Sequence, residues 1–362
     1  MVLSELASLE LVLAAFAGGA FGAAIGALPS FVLCGLFVAL GEVNAILHRS
    51  LGSGPPAVDL TGAIAFGPVL GPHVAFGGGA AAVAYLAKRD DLDVDFPYHD
   101  AKCVTRGLGT RPDVLAVGGA FGVLGAWIAT AAGSLDAPTD PVALGVVGSA
   151  LVHRAGLGYP LVGASPGRLL DMSPYRRGER RDSPAESGSA VADGGEPVAA
   201  SERFAVEPWL PYQYRWSHVA AIGVVSGILG AYVAYRTGSA FLAFGISVVA
   251  LAFVVAGVDD IPITHHMTLP ASTVVLAYAG VDAGGVAPAT LAAGIPVGEA
   301  LLLGAAAGLI GALLGEFAQR VFYAHTDTHL DPPAASIVVT TLGIGLLAWL
   351  GVLPAAAWIP GV

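Results

Sequence analysis

The sequence predicts an all-α polytopic membrane protein with about ten transmembrane helices. Of the 362 residues, 55% are hydrophobic and only 12% are charged, and the mean hydropathy is +0.74. A chain of this composition is solvated mainly by lipid rather than by water. Its 50 glycines and its long Ala, Val and Leu runs suit helices that pack closely through small residues. The alternating pattern of a membrane β-barrel is missing from the sequence.

Ten segments come near the roughly 20 apolar residues that a membrane-spanning helix needs. They are 6–28, 30–47, 60–87, 114–135, 141–161, 217–235, 239–258, 267–283, 297–322 and 333–353. The third segment is long enough to hold a short broken or re-entrant piece before its main helix. The chain is therefore expected to cross the membrane ten times.

The basic residues predict the orientation of these segments. If all ten span, fourteen of the 16 Lys and Arg residues fall on one side, and only Arg49 and Arg236 fall on the other. Because positive charge is retained on the cytoplasmic side, the basic side is predicted to be cytoplasmic. We expect a multi-pass protein of the cell membrane with both termini outside.

A polar stretch divides the chain into two membrane halves, 1–164 and 217–362. The stretch between them, 165–216, is rich in Ser, Pro, Gly, Glu and Arg. Such a composition buries too little apolar surface to fold alone. We expect a disordered cytoplasmic linker there.

Five short matches occur in the same order in the two halves. They pair 18–23 with 226–231, 30–35 with 240–245, 73–85 with 266–278, 118–126 with 304–312 and 139–141 with 330–332. Since Gly- and Ala-rich helices resemble one another by composition, the shared order carries more weight than any one match. It favours an internal duplication. Five helices per repeat is an odd number, so the second repeat enters the membrane inverted, as in many secondary transporters.

Broken helices are expected in the third and eighth segments. The Gly- and Pro-rich stretch 67–73 lies within the third segment, and the Pro-containing stretch 259–266 precedes the eighth. Backbone groups freed by such breaks must face protein or a water-filled cavity. Paired breaks form the midplane site of inverted-repeat transporters; kinks that merely permit close packing are the alternative. The candidate binding residues are His73, Phe76, Gly77, Gly78, Gly79, Thr264, His265, His266, Thr268 and Ser272.

Ionisable residues near these breaks extend the candidate site. His73 and His266 are candidates for sharing protons, binding an anion or ligating a metal, because histidine titrates near neutrality. Asp259 and Asp260 are candidate coupling carboxylates, with helix capping as the alternative. Glu42 lies inside the second segment, where an ionisable side chain is costly unless it is used. Snorkelling of Glu42 to the interface is the alternative.

The motif H-T-D-T-H-L-D, at 325–331, is a candidate metal site. It places His325 and His329 four residues apart with Asp327 between them, a spacing that can present divalent-metal ligands on one helical turn. In the alternative interpretation, Asp331 and Pro332 form the N-cap and first turn of the last helix.

Enzyme motifs are missing from the sequence. It contains no HExxH, P-loop, nucleophile elbow or dinucleotide fingerprint in a supporting context. Its two cysteines form no CxxC pair. We therefore expect no catalytic residues, no bound cofactor and no nucleic-acid partner. The expected partners are the lipid bilayer and a small solute or ion.

The stretches 71–85 and 264–272, together with the acidic loops, resemble a group of uncharacterised multi-pass membrane proteins of haloarchaea and some bacteria. The resemblance covers most of the chain outside the linker. It implies a membrane location and brings no established substrate, cofactor or catalytic residue.

The architecture favours a secondary permease for a small polar or ionic solute, bound between the third and eighth segments. Coupling to a proton or a sodium ion is expected, because the sequence has no ATP-binding motif. A channel or passive facilitator is the main alternative. An intramembrane metal-binding enzyme and a membrane scaffold are further alternatives.

Overall fold

The fold is all-helical, as predicted. The computed structural model describes residues 2–89, 91–92, 96, 98–163, 165, 167–181, 203–281 and 285–361. These residues form no sheet, and a bridge between Arg180 and Phe204 is isolated. The α-helices are α1 (Val2–Leu6), α2 (Leu9–Ile25), α3 (Ala27–Leu51), α4 (Ala75–Ala87), α5 (Pro112–Ser134), α6 (Pro141–Gly156), α7 (Ser173–Arg176), α8 (Trp216–Thr237), α9 (Leu242–Val249), α10 (Leu251–Val255), α11 (His265–Tyr278), α12 (Pro288–Gly294), α13 (Val297–Phe322) and α14 (Pro332–Trp349).

Five of these helices are long and apolar enough to cross a membrane: α3, α5, α8, α13 and α14. Three shorter apolar stretches are α2, α4 and Leu242–Val255. Large apolar side chains project outward from the helices; Leu9, Leu302 and Trp349 are each more than 70% exposed. Apolar surfaces of this kind favour a lipid environment, so the structure indicates a membrane protein.

The third predicted segment is divided, and the eighth is not divided within its helix. A π-helix, Leu60–Ala65, is followed by turns and then by α4. In the second half, α11 is one 14-residue helix that continues past Pro270 and is preceded by the non-helical residues 258–264. The break there precedes the helix rather than interrupting it. The seventh segment, predicted as one helix, is divided into α9 and α10 at Ala250.

In the first half, α2, α4 and α5 pack together through glycines. Gly19 of α2 lies against Gly118 and Gly122 of α5. Gly22 of α2 lies against the backbone of Ala75 in α4, where a Cβ would overlap the Ala75 carbonyl group. The absence of side chains lets the three backbones approach closely, as in other membrane helix pairs.

In the second half, α8, α11 and α13 make the corresponding contacts. Gly227 of α8 lies against Gly304 and Gly308 of α13, and Gly230 lies against the backbone of Thr268 in α11. These glycines are the ones that the sequence matches pair with those of the first half.

Two histidine carbonyl groups occupy corresponding places in this packing. A Cβ at Gly125 of α5 would overlap the carbonyl oxygen of His73, and a Cβ at Gly311 of α13 would lie against that of His266. Pro270 has no N–H to donate to the His266 carbonyl, so this oxygen loses its usual helical partner. Glycine on the facing helix covers both oxygens with protein.

The halves meet through antiparallel helices. Gly35 of α3 faces Val248 of α9, and Gly245 of α9 faces Val38 of α3, so α3 and α9 run in opposite directions.

The helices α6 and α14 form the second antiparallel pair between the halves. The hydroxyl groups of Thr139 and Thr341 lie 3.1 Å apart at one end, and Arg154 Nε donates to Thr328 Oγ1 at 2.7 Å at the other. Two helix pairs thus join the halves around a shared interior.

Part of the predicted linker is packed against the helices. Glu207 N donates to the carbonyl oxygen of Ala324, and the Gln213 side chain both donates to and accepts from the backbone of Ile263. Polar residues are ordered here because their hydrogen-bond partners lie on connections distant in sequence. The disordered-linker prediction therefore does not extend to 203–215, and residues 182–202 lie outside the described part of the chain.

Substituting Gly125 with Ala is expected to destabilise the protein by about 1–3 kcal/mol, because its Cβ overlaps the His73 carbonyl oxygen. Gly133→Ala is the matched control in the same helix, since its Cβ meets nothing within 4 Å. Thermal unfolding of both variants in detergent measures the difference. Equal melting temperatures would show that the close approach at Gly125 is not required.

Candidate functional site

A small cavity, the central cavity, lies between the two halves and has a volume of about 40 Å³. Aromatic and aliphatic side chains form most of its wall, and two carboxylates, Asp140 and Asp331, interrupt that apolar surface. Its lining residues are Phe31, Phe66, Pro72, Phe76, Asp140, Val142, Ala143, Val146, Phe244, His265, Leu269, Asp331, Ala334 and Ile337.

Corresponding residues of the two halves line the central cavity together. Counted from the matched Asp-Pro pairs, Asp140, Ala143 and Val146 correspond to Asp331, Ala334 and Ile337, and all six line the cavity. Counted from the matched histidines, Pro72 and Phe76 likewise correspond to His265 and Leu269.

Asp140 and Asp331 are the N-caps of α6 and α14. Asp140 Oδ1 accepts from Val142 N and Ala143 N, and Asp331 Oδ2 accepts from Ala334 N at 2.8 Å. Asp140 N donates to Thr341 Oγ1, ten residues along α14 from Asp331. At 1.5 Å per residue, the contact of Asp140 with Thr341 lies roughly 15 Å along α14 from Asp331. The two carboxylates lie at opposite ends of the central cavity.

A second cavity adjoins the Asp331 end and is named here the linker-side cavity, with a volume of about 160 Å³. It shares Phe31, Phe76, His265 and Asp331 with the central cavity. Its other lining residues are Leu28, Phe96, Lys102, Val104, Thr105, Trp209, Leu210, Leu251, Val254, Ile263, Tyr323 and His329. Trp209 and Leu210 belong to the packed part of the linker, which therefore forms part of the wall at this end.

A third and much larger cavity, the vestibule, has a volume of about 910 Å³. Exposed residues of the loop after α3, including Gly52, Gly54 and Pro55, form part of its wall. Phe66 lines both the vestibule and the central cavity.

Aromatic rings separate the vestibule from the central cavity. The Phe66 ring centroid lies 5.3 Å from that of Phe241 and 5.8 Å from that of Phe244, and Phe241 lies 5.0 Å from Trp358. These four residues are named here the aromatic constriction. Aromatic pairs at such separations attract one another beyond their burial, so the constriction is a packed barrier.

The imidazole rings of His265 and His329 line the linker-side cavity together with Asp331. His329 Nε2 lies 3.5 Å from Asp331 Oδ1, and the Nδ1 atoms of His329 and His265 are buried without a hydrogen-bond partner in the described structure. A carboxylate only accepts, so Nε2 of His329 is the donor and Nδ1 of the neutral ring is an acceptor. The Asp331 side chain keeps 16% of its surface accessible in these surroundings.

Of the residues predicted to bind solute, Phe76 and His265 line the cavities. Gly77 lies beside Ser149 in a narrow cleft that also reaches Phe76 and Asp331. Gly78 and Gly79 instead face the backbones of α2 and neighbouring residues, where they permit close packing.

His73 and His266 do not line any of these cavities. Both are buried; the His73 side chain faces Gly145, and the His266 ring faces Gly315 and lies 6.3 Å from the Trp209 ring. The structure brings them to corresponding positions in each half without a shared contact.

The remaining polar candidates have local roles. Thr268 donates to the carbonyl oxygen of His265, and Ser272 donates to that of Thr268. Thr264 is the N-cap of α11 but makes no capping bond through its side chain. Asp259 and Asp260 are exposed in the turn before α11.

Glu42 lies in the vestibule wall and joins the halves. It is buried, its Oε1 accepts from Thr61 at 2.9 Å, and its Oε2 accepts from Ser239 at 2.6 Å. Both oxygens are satisfied by protein, so Glu42 fixes the π-helix to the second half rather than snorkelling to the surface.

The predicted metal ligands have different partners. His325 Nε2 lies 2.9 Å from the Leu169 carbonyl oxygen, Asp327 is paired with Arg181 and Arg203, and His329 contacts Asp331. Across the described residues, no three His, Cys, Asp or Glu side chains are grouped to hold a metal ion. The N-cap interpretation of Asp331 is confirmed.

A buried ion pair lies beside the linker-side cavity. Lys102 Nζ lies 2.6 Å from Glu207 Oε2, and both side chains are fully buried. Glu207 Oε1 also accepts from Arg203 Nε at 2.8 Å. Burial lowers the pKa of Lys102 to about 8, although Glu207 acts to raise it. The pair fastens the linker to the turn before α5.

Asp140 and Asp331 were not predicted as cavity residues, although the matched Asp-Pro pairs were visible in the sequence. Their capping pattern indicated helix starts, and nothing local indicated that both helices start at one cavity. Lys102 and Glu207 carried no signal, because they are 105 residues apart in the chain.

The contribution of Lys102 to stability is expected to rise with pH between about 8 and 10.5. The folded pKa of about 8 is below the ordinary value of 10.5, so the unfolded chain binds more protons in this window. Melting temperatures of wild type and Lys102→Met, compared from pH 7 to pH 11, separate the contribution of Lys102 to stability from that of other titrating groups. A difference that stays constant across the window would contradict the buried position of Lys102.

Comparison with curated proteins and with solved structures finds no match. A family model of unknown function, DUF7973, matches residues 1–362. The chain therefore belongs to the DUF7973 family.

Proposed function

We propose that this protein is a secondary permease for a small polar or ionic solute, built from two inverted five-helix repeats. The observation that carries the proposal is the central cavity, whose wall pairs corresponding residues of both halves and includes one carboxylate from each. Ligand sites at the interface of two repeats are typical of this class of transporter.

The matched glycine contacts support the duplication. Gly19 and Gly227 meet corresponding glycines on α5 and α13, and Gly125 and Gly311 meet the backbones of His73 and His266. Compositional similarity alone would not place matched residues in matched contacts. The duplication thus rests on three-dimensional pairs as well as on colinear sequence.

The antiparallel pairs support the inversion. The second predicted segment, α3, pairs with its counterpart α9 in the opposite direction, and α6 does the same with α14. Two parallel repeats would align such counterparts in the same direction. Arg49 is the one Lys or Arg residue among those that line the vestibule, so the charge bias supports an extracellular vestibule and a cytoplasmic linker.

The order of cavities suits alternating access. The aromatic constriction separates the vestibule from the central cavity, and we take Trp209 and Leu210 of the packed linker, which line the linker-side cavity, as the second barrier. A solute is enclosed when both barriers are closed and leaves when one opens. A channel, by contrast, needs both to be open together, so the two barriers favour a carrier over a passive facilitator.

Transport is expected to depend on Asp331. Protein reconstituted in liposomes is exposed to alanine, succinate, phosphate and methylammonium, and solute-evoked currents are recorded on supported membranes. At least one solute should evoke a saturable current in wild type, reduced about tenfold or more in Asp331→Asn because a carboxylate in the cavity wall is lost. The control is Asp259→Asn, at an exposed carboxylate. Currents that are equal in both variants would contradict the proposed path.

Opening the aromatic constriction is expected to make the protein leaky. Phe66→Ala removes a ring that separates two cavities, whereas Phe66→Leu keeps apolar bulk there. Passive uptake of the solute identified above should rise severalfold in Phe66→Ala and less in Phe66→Leu. Unchanged passive uptake in properly folded Phe66→Ala would exclude the constriction as the barrier.

A further inference from the structure

We propose, on the basis of the permease function above, that the solute is a small monovalent ammonium-type cation, ammonium or methylammonium, bound beside Asp331. Asp331 lines the central cavity, the linker-side cavity and the narrow cleft at His153. Asp331 is therefore the ionisable residue that lines all three of these spaces.

The charge at this position favours a cation. Asp331 receives one backbone N–H and the contact from His329, and neither supplies a fixed positive charge when the ring is neutral.

The basic residues near Asp331 have partners of their own. Lys102, in the wall of the linker-side cavity, is paired with Glu207. Arg154, nearby on α6, donates to the carbonyl oxygens of Leu161, Phe322 and Thr328. A carboxylate without a dedicated cation is costly in an apolar interior and is stabilised by a cationic ligand.

Unpartnered imidazole nitrogens favour a cation that donates hydrogen bonds. His265 is 3% exposed and His329 is 3% exposed, and the Nδ1 atom of each lacks a partner within the described residues. Such buried polar atoms are normally hydrogen-bonded. The Nδ1 atom of His329 points away from Asp331, because Nε2 of the same ring faces the carboxylate. His265 lines both cavities with Asp331, so an N–H donor placed between these two residues would pair with the carboxylate and with the unprotonated ring nitrogen of His265.

The wall chemistry separates ammonium-type ions from metal ions. Phe31 and Phe76 line both the central cavity and the linker-side cavity, and aromatic rings attract organic cations and ammonium groups. Hard metal cations need several oxygen ligands. The side chains that line the cavities beside the Asp331 carboxylate include imidazole and aromatic rings instead. The described residues also contain no three-ligand metal cluster.

The cavities have a suitable size. About 10–15 Å³ of cavity is enough to hold one water molecule, and an ammonium ion is about as large as water. The central cavity of about 40 Å³ accepts such an ion, and the linker-side cavity of about 160 Å³ accepts the added methyl group. Large or branched solutes do not fit the central cavity without rearrangement of its walls.

Calorimetric titration tests this site directly. Purified full-length protein in lipid nanodiscs is titrated with methylammonium chloride, with the total ionic strength held constant by sodium chloride. We expect saturable binding that is displaced by ammonium and not by potassium. Asp331→Asn should weaken it about tenfold or more, equivalent to about 1.4 kcal/mol. His265→Phe, which keeps an aromatic ring and removes both ring nitrogens, should weaken it severalfold, and Asp259→Asn should leave it unchanged.

Binding and flux separate this inference from the permease function. If wild type transports alanine, succinate or phosphate and binds no methylammonium, the cation site is overturned and the permease function remains. If methylammonium binds and both site variants weaken it, but no tested solute crosses the membrane, the site stands and the permease function is overturned. Methylammonium binding that is unaffected by folded His265→Phe and Asp331→Asn would also overturn the site.

Discussion

Close backbone contact between glycine-bearing helices is the constraint on which the rest of this structure depends. Lipid offers little hydrophobic drive for one helix to join another, so association relies on packing at short range. Gly19 against Gly118 and Gly227 against Gly304 supply it in the two halves. Close packing holds α4 against α2 and α5, and α11 against α8 and α13. The helices α4 and α11 carry Phe76 and His265 to the central cavity.

Helix starts bring ionisable groups into that interior. Asp140 and Asp331 satisfy the first amides of α6 and α14, so the carboxylates are held by the backbone that they cap. Because α6 and α14 are antiparallel, the two caps lie at opposite ends of one cavity. A residue type that normally signals a helix start thereby supplies both carboxylates in the wall of a mostly apolar cavity.

The all-helical fold was predictable because composition and segment length report on lipid burial directly. The site was only partly predictable. Neighbouring residues on a helix point about 100° apart, and the approximate start of the eighth segment did not decide that His265, rather than His266, faces the cavity. The ordered residues 203–215 were missed because their partners, such as Ile263 and Ala324, are distant in sequence. Local polarity carries no information about such partners.

The central claim, that the halves are inverted around a shared path, is tested most directly by sidedness. Ser53 follows α3 and Asp259 follows α10, which are matching ends of corresponding segments, and both are exposed. Ser53→Cys and Asp259→Cys, each in a chain with Cys34 and Cys103 replaced by serine, are treated in intact cells with a membrane-impermeant maleimide. The account predicts labelling at position 53 only, and at position 259 only after permeabilisation. Labelling of both from the same side would contradict it.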